Sequence, residues 1–206
     1  MKPAMKTDHI TRVLLSICLI ISPIMYGHAD TSGTVIFSVM RHHKPIGQMT
    51  ASSSTCPQGR RLIVQVEVKD RLLLEFRILN RMENLIGSDG LLESHMERRV
   101  NGNTRFNHKV RLENGRYICE GKGGFEGPIP KNIRSTMTTL YFQEPVGRSE
   151  LYSEGHKRMI PIRDLGNGIY KITMPDGNTN LFYYRGGQLE RIVAHTSFGE
   201  VVFVKK

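Results

Sequence analysis

The side chains able to do chemistry are sparse in this sequence and poorly spaced for it. Beyond residue 29 the histidines are His42, His43, His95, His108, His156 and His195, and no two are separated as HxH or HxxxH. A metal site would have to be assembled by the fold, and the adjacent His42-His43 pair, if on a strand, points its rings to opposite faces. No GxSxG elbow, SxxK pair, P-loop or dinucleotide-binding glycine motif occurs. Of 19 acids one, Asp8, precedes residue 29, and no motif selects a general acid and base among the other 18. No catalytic residue, metal or cofactor is therefore assigned.

Cys56 and Cys119 are the two cysteines beyond residue 29. An even pair is compatible with one disulfide in an oxidising compartment. Closing so long a loop stabilises by roughly 4 kcal/mol in the chain-entropy model. Two buried free thiols, or one reactive thiol, are the alternatives, and neither cysteine has a neighbouring His or Asp motif that marks a nucleophile.

The compartment is suggested by residues 1–29, which read as a secretory signal peptide. Lys2, Lys6 and Arg12 form a positive leader, Val13 to Met25 an apolar core, and Gly27-His28-Ala29 a small-residue cleavage site. The alternatives are a membrane anchor, for which the run falls short of the ~20 residues needed, and lipidation at Cys18, against which stands the bulky Ile17. No second apolar span follows, so no transmembrane segment is expected after cleavage. Removing the leader takes three of 29 basic and one of 19 acidic residues, leaving 26 minus 18, or +8. That excess favours anionic partners. Nucleic acid is disfavoured by export and by the absence of helix-turn-helix, zinc or RNP-type patterns. A periplasmic or secreted location leaves lipid phosphate, an acidic polysaccharide or an envelope protein as partners.

The elements that would position a site are strands. Residues 30–206 suit one domain. Arg61 to Lys69 alternates cleanly, with Leu62, Val64, Val66 and Val68 on one side. Thr34 to Met40 and Ile46 to Ala51 precede it, Gly47 marking a bulge or a close backbone approach. Ser52 to Gly59 reads as a polar loop. Leu72 to Met82 fits a strand or a helical stripe, and its neighbours favour strand. Asp89-Gly90, Asn101-Gly102 and Asn114-Gly115 are hairpin turns, the last two with the type I′ signature. Closely spaced turns imply an all-β, antiparallel up-and-down meander forming a strongly curved sheet or open barrel. One long irregular connection, Gly121 to Pro161, interrupts it, with a strand expected only at Thr136 to Phe142; it caps a cavity or seals a core.

The last forty residues carry three further turns. With Asp176 and Gly177 as a two-residue loop, Ile172 faces Leu181 and Tyr170 faces Tyr183. Arg185-Gly186-Gly187-Gln188 then puts Leu181 opposite Ile192, and Ser197-Phe198-Gly199-Glu200 puts Ala194 opposite Phe203. The expected apolar face includes Tyr170, Ile172, Leu181, Tyr183 and Ile192, the residues predicted to line a cavity if one exists. The absence of tryptophan weakens a sugar-stacking reading.

The Phe37-Ser38-Val39 strand followed by Pro45-Ile46-Gly47, the Tyr141-Phe142-Gln143-Glu144-Pro145 box, and the Pro175-Asp176-Gly177-Asn178 and Gly186-Gly187-Gln188-Leu189 turns resemble an uncharacterised family of secreted all-β bacterial proteins. The resemblance implies a long curved antiparallel sheet, in outline like the half-barrels of periplasmic lipoprotein carriers, and no known catalytic residues. The expected function is non-enzymatic binding of an apolar or amphiphilic ligand, with an anionic lipid as one form. A dry-core interaction module and a hydrolase built on the long connection are the alternatives.

Overall fold

The computed structural model describes residues 32–71, 75–123, 128–196 and 199–206. The expected leader, Leu72, Leu74, Phe125 and the Ser197-Phe198 pair lie outside the described residues. Thirteen strands are present: β1 (Gly33–Arg41), β2 (Lys44–Cys56), β3 (Gly59–Arg71), β4 (Glu75–Gly87), β5 (Gly90–Val100), β6 (Asn103–Glu113), β7 (Arg116–Lys122), β8 (Glu150–Ser153), β9 (Arg158–Asp164), β10 (Ile169–Thr173), β11 (Thr179–Arg185), β12 (Gln188–Thr196) and β13 (Gly199–Lys205). They form one antiparallel sheet in the order β7-β6-β5-β4-β3-β2-β1-β13-β12-β11-β10-β9-β8. The chain steps outward from β1 to β7, crosses to the opposite edge, and steps back until β13 pairs with β1. The sheet is an up-and-down meander that strand pairing does not close into a barrel.

Local chemistry accounts for several of the hairpins. Asn101-Gly102 (φ 51° and 79°), Asn114-Gly115 (50° and 74°) and Gly186-Gly187 (57° and 77°) hold both central residues at positive φ, the type I′ geometry that matches strand twist. His42-His43 does the same, at 47° and 63°, so these rings sit at a turn rather than within a strand. Leu72 to Met82 resolves as strand from Glu75 onward. The polar loop expected at Ser52 to Gly59 is instead the end of β2, and only Pro57-Gln58 separates Cys56 from Gly59. A strand this long is sustained because Ser53 still points inward, buried, opposite Leu62. At Gly47, opposite Val68, a Cβ would fall inside the contact distance of the Glu67 carbonyl oxygen, so this glycine marks a close backbone approach.

The β10–β11 hairpin departs from expectation by one residue. Thr173 pairs with Thr179, and the Gly177 N–H donates to the Met174 carbonyl at 3.0 Å, with Gly177 at φ 84°. Pro175 occupies the second position of this turn, where its fixed φ suits type I; a two-residue loop would instead have required positive φ at Asp176. Ile172 consequently faces Asn180, and Tyr170 faces Phe182. One slip exchanges faces. Phe182 and Tyr184 therefore join Tyr170 and Ile172 on the concave side, while Leu181 and Tyr183 lie on the other. A bulge at Glu190 adds a second slip, with Tyr183 opposite Arg191 but Tyr184 opposite Leu189. The two slips cancel, so Ile192 stays on the concave face, opposite Phe182 and Phe203. Ala194 pairs with Val201 rather than Phe203, a shift of two that preserves the face.

The connection between β7 and β8 fills one end of the concavity. Thr136 to Phe142 is not a strand: Thr136 makes a single parallel bridge to Tyr152, and Thr138–Tyr141 then form a 3₁₀ turn. Threonine side chains explain this, since Thr139 Oγ1 donates to the Thr136 carbonyl at 2.6 Å, a local bond that competes with a ladder. Met137 and Leu140 pack with Val64, Met82, Leu151 and Ile160 in the main core.

Candidate functional site

Tyr170, Ile172 and Ile192 are 3%, 0% and 3% exposed, so these predicted lining residues are packed core. Tyr184 Oη donates to the Leu140 carbonyl at 2.6 Å, sealing the sheet against the connection. Tyr170 Oη donates to Glu144 Oε1 at 3.0 Å, and burial together with that carboxylate pushes its pKa up to about 12. Leu181 opposes Lys171, and Tyr183 carries the Arg191 guanidinium 4.7 Å from its ring centroid, both on the outer face. Five residues predicted to share a cavity are thus divided between a filled core and a surface.

The end of the concavity away from the connection is built differently. The pairings Val66 with Asn80, Asn80 with Arg98 and Arg98 with Phe106 form one inward-facing row. Val68, Ile78 and Val100 form the next, towards the strand ends. Where Val64 is fully buried, Val66, Ile78, Phe106 and Met174 are only partly buried although they face inward and pack on the core. An apolar wall is therefore left partly open. Arg98 stands within it, half-buried, and desolvation holds its pKa below the usual guanidinium value against the opposing pull of Asp176. Asp176 itself is spent on its turn, accepting from Asn178 N at 3.0 Å and Asn178 Nδ2 at 2.9 Å. Among the described residues no carboxylate forms an ion pair with Arg98. Asn80 Oδ1, beside it in the row, is buried without a hydrogen-bond partner.

A second polar cluster lies under the connection. Glu154, 1% exposed, accepts at Oε1 from Asn84 Nδ2 (2.7 Å), Thr138 N (2.9 Å) and Thr138 Oγ1 (2.6 Å). His108 Nε2 lies 2.8 Å from the Glu154 carbonyl oxygen, and burial lowers the histidine pKa. With Oε1 and Nε2 committed in this way, the cluster acts as a clasp between β4, β6, the β8–β9 turn and the 3₁₀ turn. Sequence reasoning passed over Arg98 and Glu154 because a charged residue in a strand or turn has the signature of a solvated one.

The cysteine pairing is corrected. Cys56 and Cys119 are free thiols on strands five positions apart in the sheet, about 24 Å along it at ~4.8 Å per strand. Cys56 Sγ bonds the Gly59 carbonyl at 3.3 Å, and Cys119 Sγ lies 3.7 Å from Lys157 Nζ. No group of three potential metal ligands occurs among the described residues.

The outer face carries its charge largely in cross-strand pairs. Arg61 and Arg81 both bond Glu83, and Lys109 reaches Glu93 at 2.8 Å. Burial alone would raise the Glu83 pKa, but the two arginines outweigh it and hold it below the usual carboxylate value.

Residues 37–206 match the family model described as domain of unknown function DUF6134. No curated protein matches the chain. Among solved structures, a β-barrel-like protein of the domain of unknown function DUF1849 from Brucella abortus is similar with a TM-score of 0.55 and 12% identity, over 84% of this chain and 94% of that one. Its likeness is one of fold. No described helix is long and apolar enough to cross a membrane.

Proposed function

This chain belongs to the DUF6134 family, and from that premise we propose that it binds an amphiphile non-enzymatically in the open end of its curved sheet. One observation carries the reading: inward-facing, only partly buried apolar side chains share one end of the concavity with an arginine that, among the described residues, no carboxylate pairs. An apolar tail would lie on Val66, Ile78, Phe106 and Met174, and an anionic head would reach Arg98, whose fork suits carboxylate or phosphate oxygens. Basic excess beyond residue 29 and the composition of the leader support a place in the periplasm or outside the cell, where lipid anions are available.

Native mass spectrometry of the mature protein, followed by titration with anilinonaphthalene sulfonate, tests this. Excess native mass that disappears on denaturation, and dye uptake lost in Ile78→Glu and weakened in Arg98→Gln while the circular dichroism is unchanged, are expected. A bare mass with no dye uptake would refute it. The dry-core interaction module is the second reading, and the specific observation favouring it is the filling of the opposite half by Met137 and Leu140. It predicts a partner whose binding weakens strongly with salt.

A further inference from the structure

At the other end of the concavity a cleft of about 270 Å³ opens between the connection and the strand ends. Its floor includes Leu62, Ile86 and Leu140, and its walls include Arg60, Arg134 and Arg148. Arg60 points inward, opposite Ile86, and its guanidinium carbon lies 6.0 Å from the Phe142 ring centroid. That stacking orients one charge on the wall. Among the described residues none of the three arginines forms an ion pair with a carboxylate. The single acid in the lining is Glu144, whose Oε1 is occupied by Tyr170 Oη. Three positive charges less one leave +2 in a recess with the neutral polar groups of Ser135, Thr139 and Gln143 on its rim. The volume sits just below the ~300 Å³ at which pockets for whole small molecules begin. It suits one compact group.

We infer that this cleft is a binding site for a phosphate monoester group. Such a group carries about −1.5 to −2 charges at pH 7, matching the residual +2 better than a monocarboxylate does. Its oxygens accept paired N–H bonds from guanidinium forks. Arg60 lies six residues along β3 from Val66, the row that holds Arg98, about 20 Å at ~3.3 Å per residue, so the site is separate from the open end and does not depend on it.

The test uses the full mature protein and two sources of the same chemistry. Calorimetric titration with inorganic phosphate and glycerol phosphate reads a soluble ester; flotation with phosphatidylcholine vesicles, with and without phosphatidic acid, reads a lipid headgroup. Saturable binding in either arm is expected. It should fall at least about tenfold in Arg134→Gln and Arg148→Gln, as loss of a hydrogen bond to a charged group implies. Glu144→Gln should tighten it. Both arginines are exposed, so their variants should melt like the parent. Absence of saturable binding in both arms, equal affinity for acetate, or binding unaffected in the Arg134→Gln, Arg148→Gln double variant would overturn the assignment.

Discussion

Glu154→Ala should detach the connection from the sheet and cost about 3 kcal/mol. The carboxylate is 1% exposed and its Oε1 accepts three hydrogen bonds at 2.6 to 2.9 Å. Alanine strands the Thr138 N–H and one Asn84 N–H in a dry interior, while the Thr138 hydroxyl can rotate to another acceptor. A buried donor left unpaired costs about 1 to 3 kcal/mol, so the two together cost roughly 2 to 6. Removing a buried charge returns part of that by ending its desolvation, which places the net near the lower half of the range. Glu154→Gln separates the two contributions. Its amide oxygen can replace Oε1, and its NH₂, in the place of the unpartnered Oε2, can offer one N–H to Asn84 Oδ1, which is buried without a partner; the second N–H stays unpaired, so the variant should cost about 1 to 2 kcal/mol, less than alanine. Urea unfolding followed by circular dichroism gives the comparison. With m near 2 kcal/mol/M, the alanine variant should lose about 1.5 M in midpoint. Hydrogen exchange at the Thr138 amide should accelerate in the alanine variant. An alanine cost below about 1 kcal/mol, or equal costs for both variants, would refute the claim that hydrogen-bond acceptance rather than charge holds the connection.

Burial lowers the His108 pKa, so the unfolded chain takes up a proton near its ordinary value of about 6.5 while the folded protein resists it. The stabilising contribution is complete above about pH 6.5 and is lost as pH falls towards the depressed folded value; unfolding curves between neutral and mildly acidic pH should flatten in His108→Gln, and an unchanged slope would exclude this histidine. Gly47→Ala forces a Cβ into the Glu67 carbonyl oxygen and should destabilise by about 3 kcal/mol or more, whereas Gly33→Ala, with open space around it, should change the unfolding midpoint little. Iodoacetamide should alkylate Cys119 rapidly and Cys56 more slowly in the native protein, and the denatured, unreduced mass should carry no two-dalton deficit; failure of both thiols to react would restore the disulfide.

Much of the meander was legible because its determinants are local. Asn101-Gly102, Asn114-Gly115 and Gly186-Gly187 need only their own backbone freedom to make tight turns, and Leu62 to Val68 alternates because strand side chains do. The β10–β11 register is not legible in the Asp176-Gly177 pair, because Pro175 ahead of it overrides the type I′ signal the pair carries. Pro175 selects a type I turn with Gly177 following, and one residue of difference moved Leu181 and Tyr183 to the outer face. The 3₁₀ turn at Thr138 has the propensity of a strand for a related reason: its threonines spend their hydroxyls on nearby backbone, which propensity alone does not reveal.

The sequence by itself therefore determined the class of fold, most of the places where the chain reverses, though not the β8–β9 hairpin inside the long connection, and much of the face each strand buries, since these depend on residues close together in the chain. Tertiary structure alone decided which edges the connection joins, that the connection packs into one end of the concavity while inward-facing side chains at the other are only partly buried, and which arginines are gathered at each end. Arg60, Arg98, Arg134 and Arg148 look alike in sequence, as do eighteen acids, because charge in one dimension carries no information about enclosure. What separates them is the strands and side chains brought beside them from distant parts of the chain, as Phe142 is beside Arg60, and whether one of those carries a carboxylate.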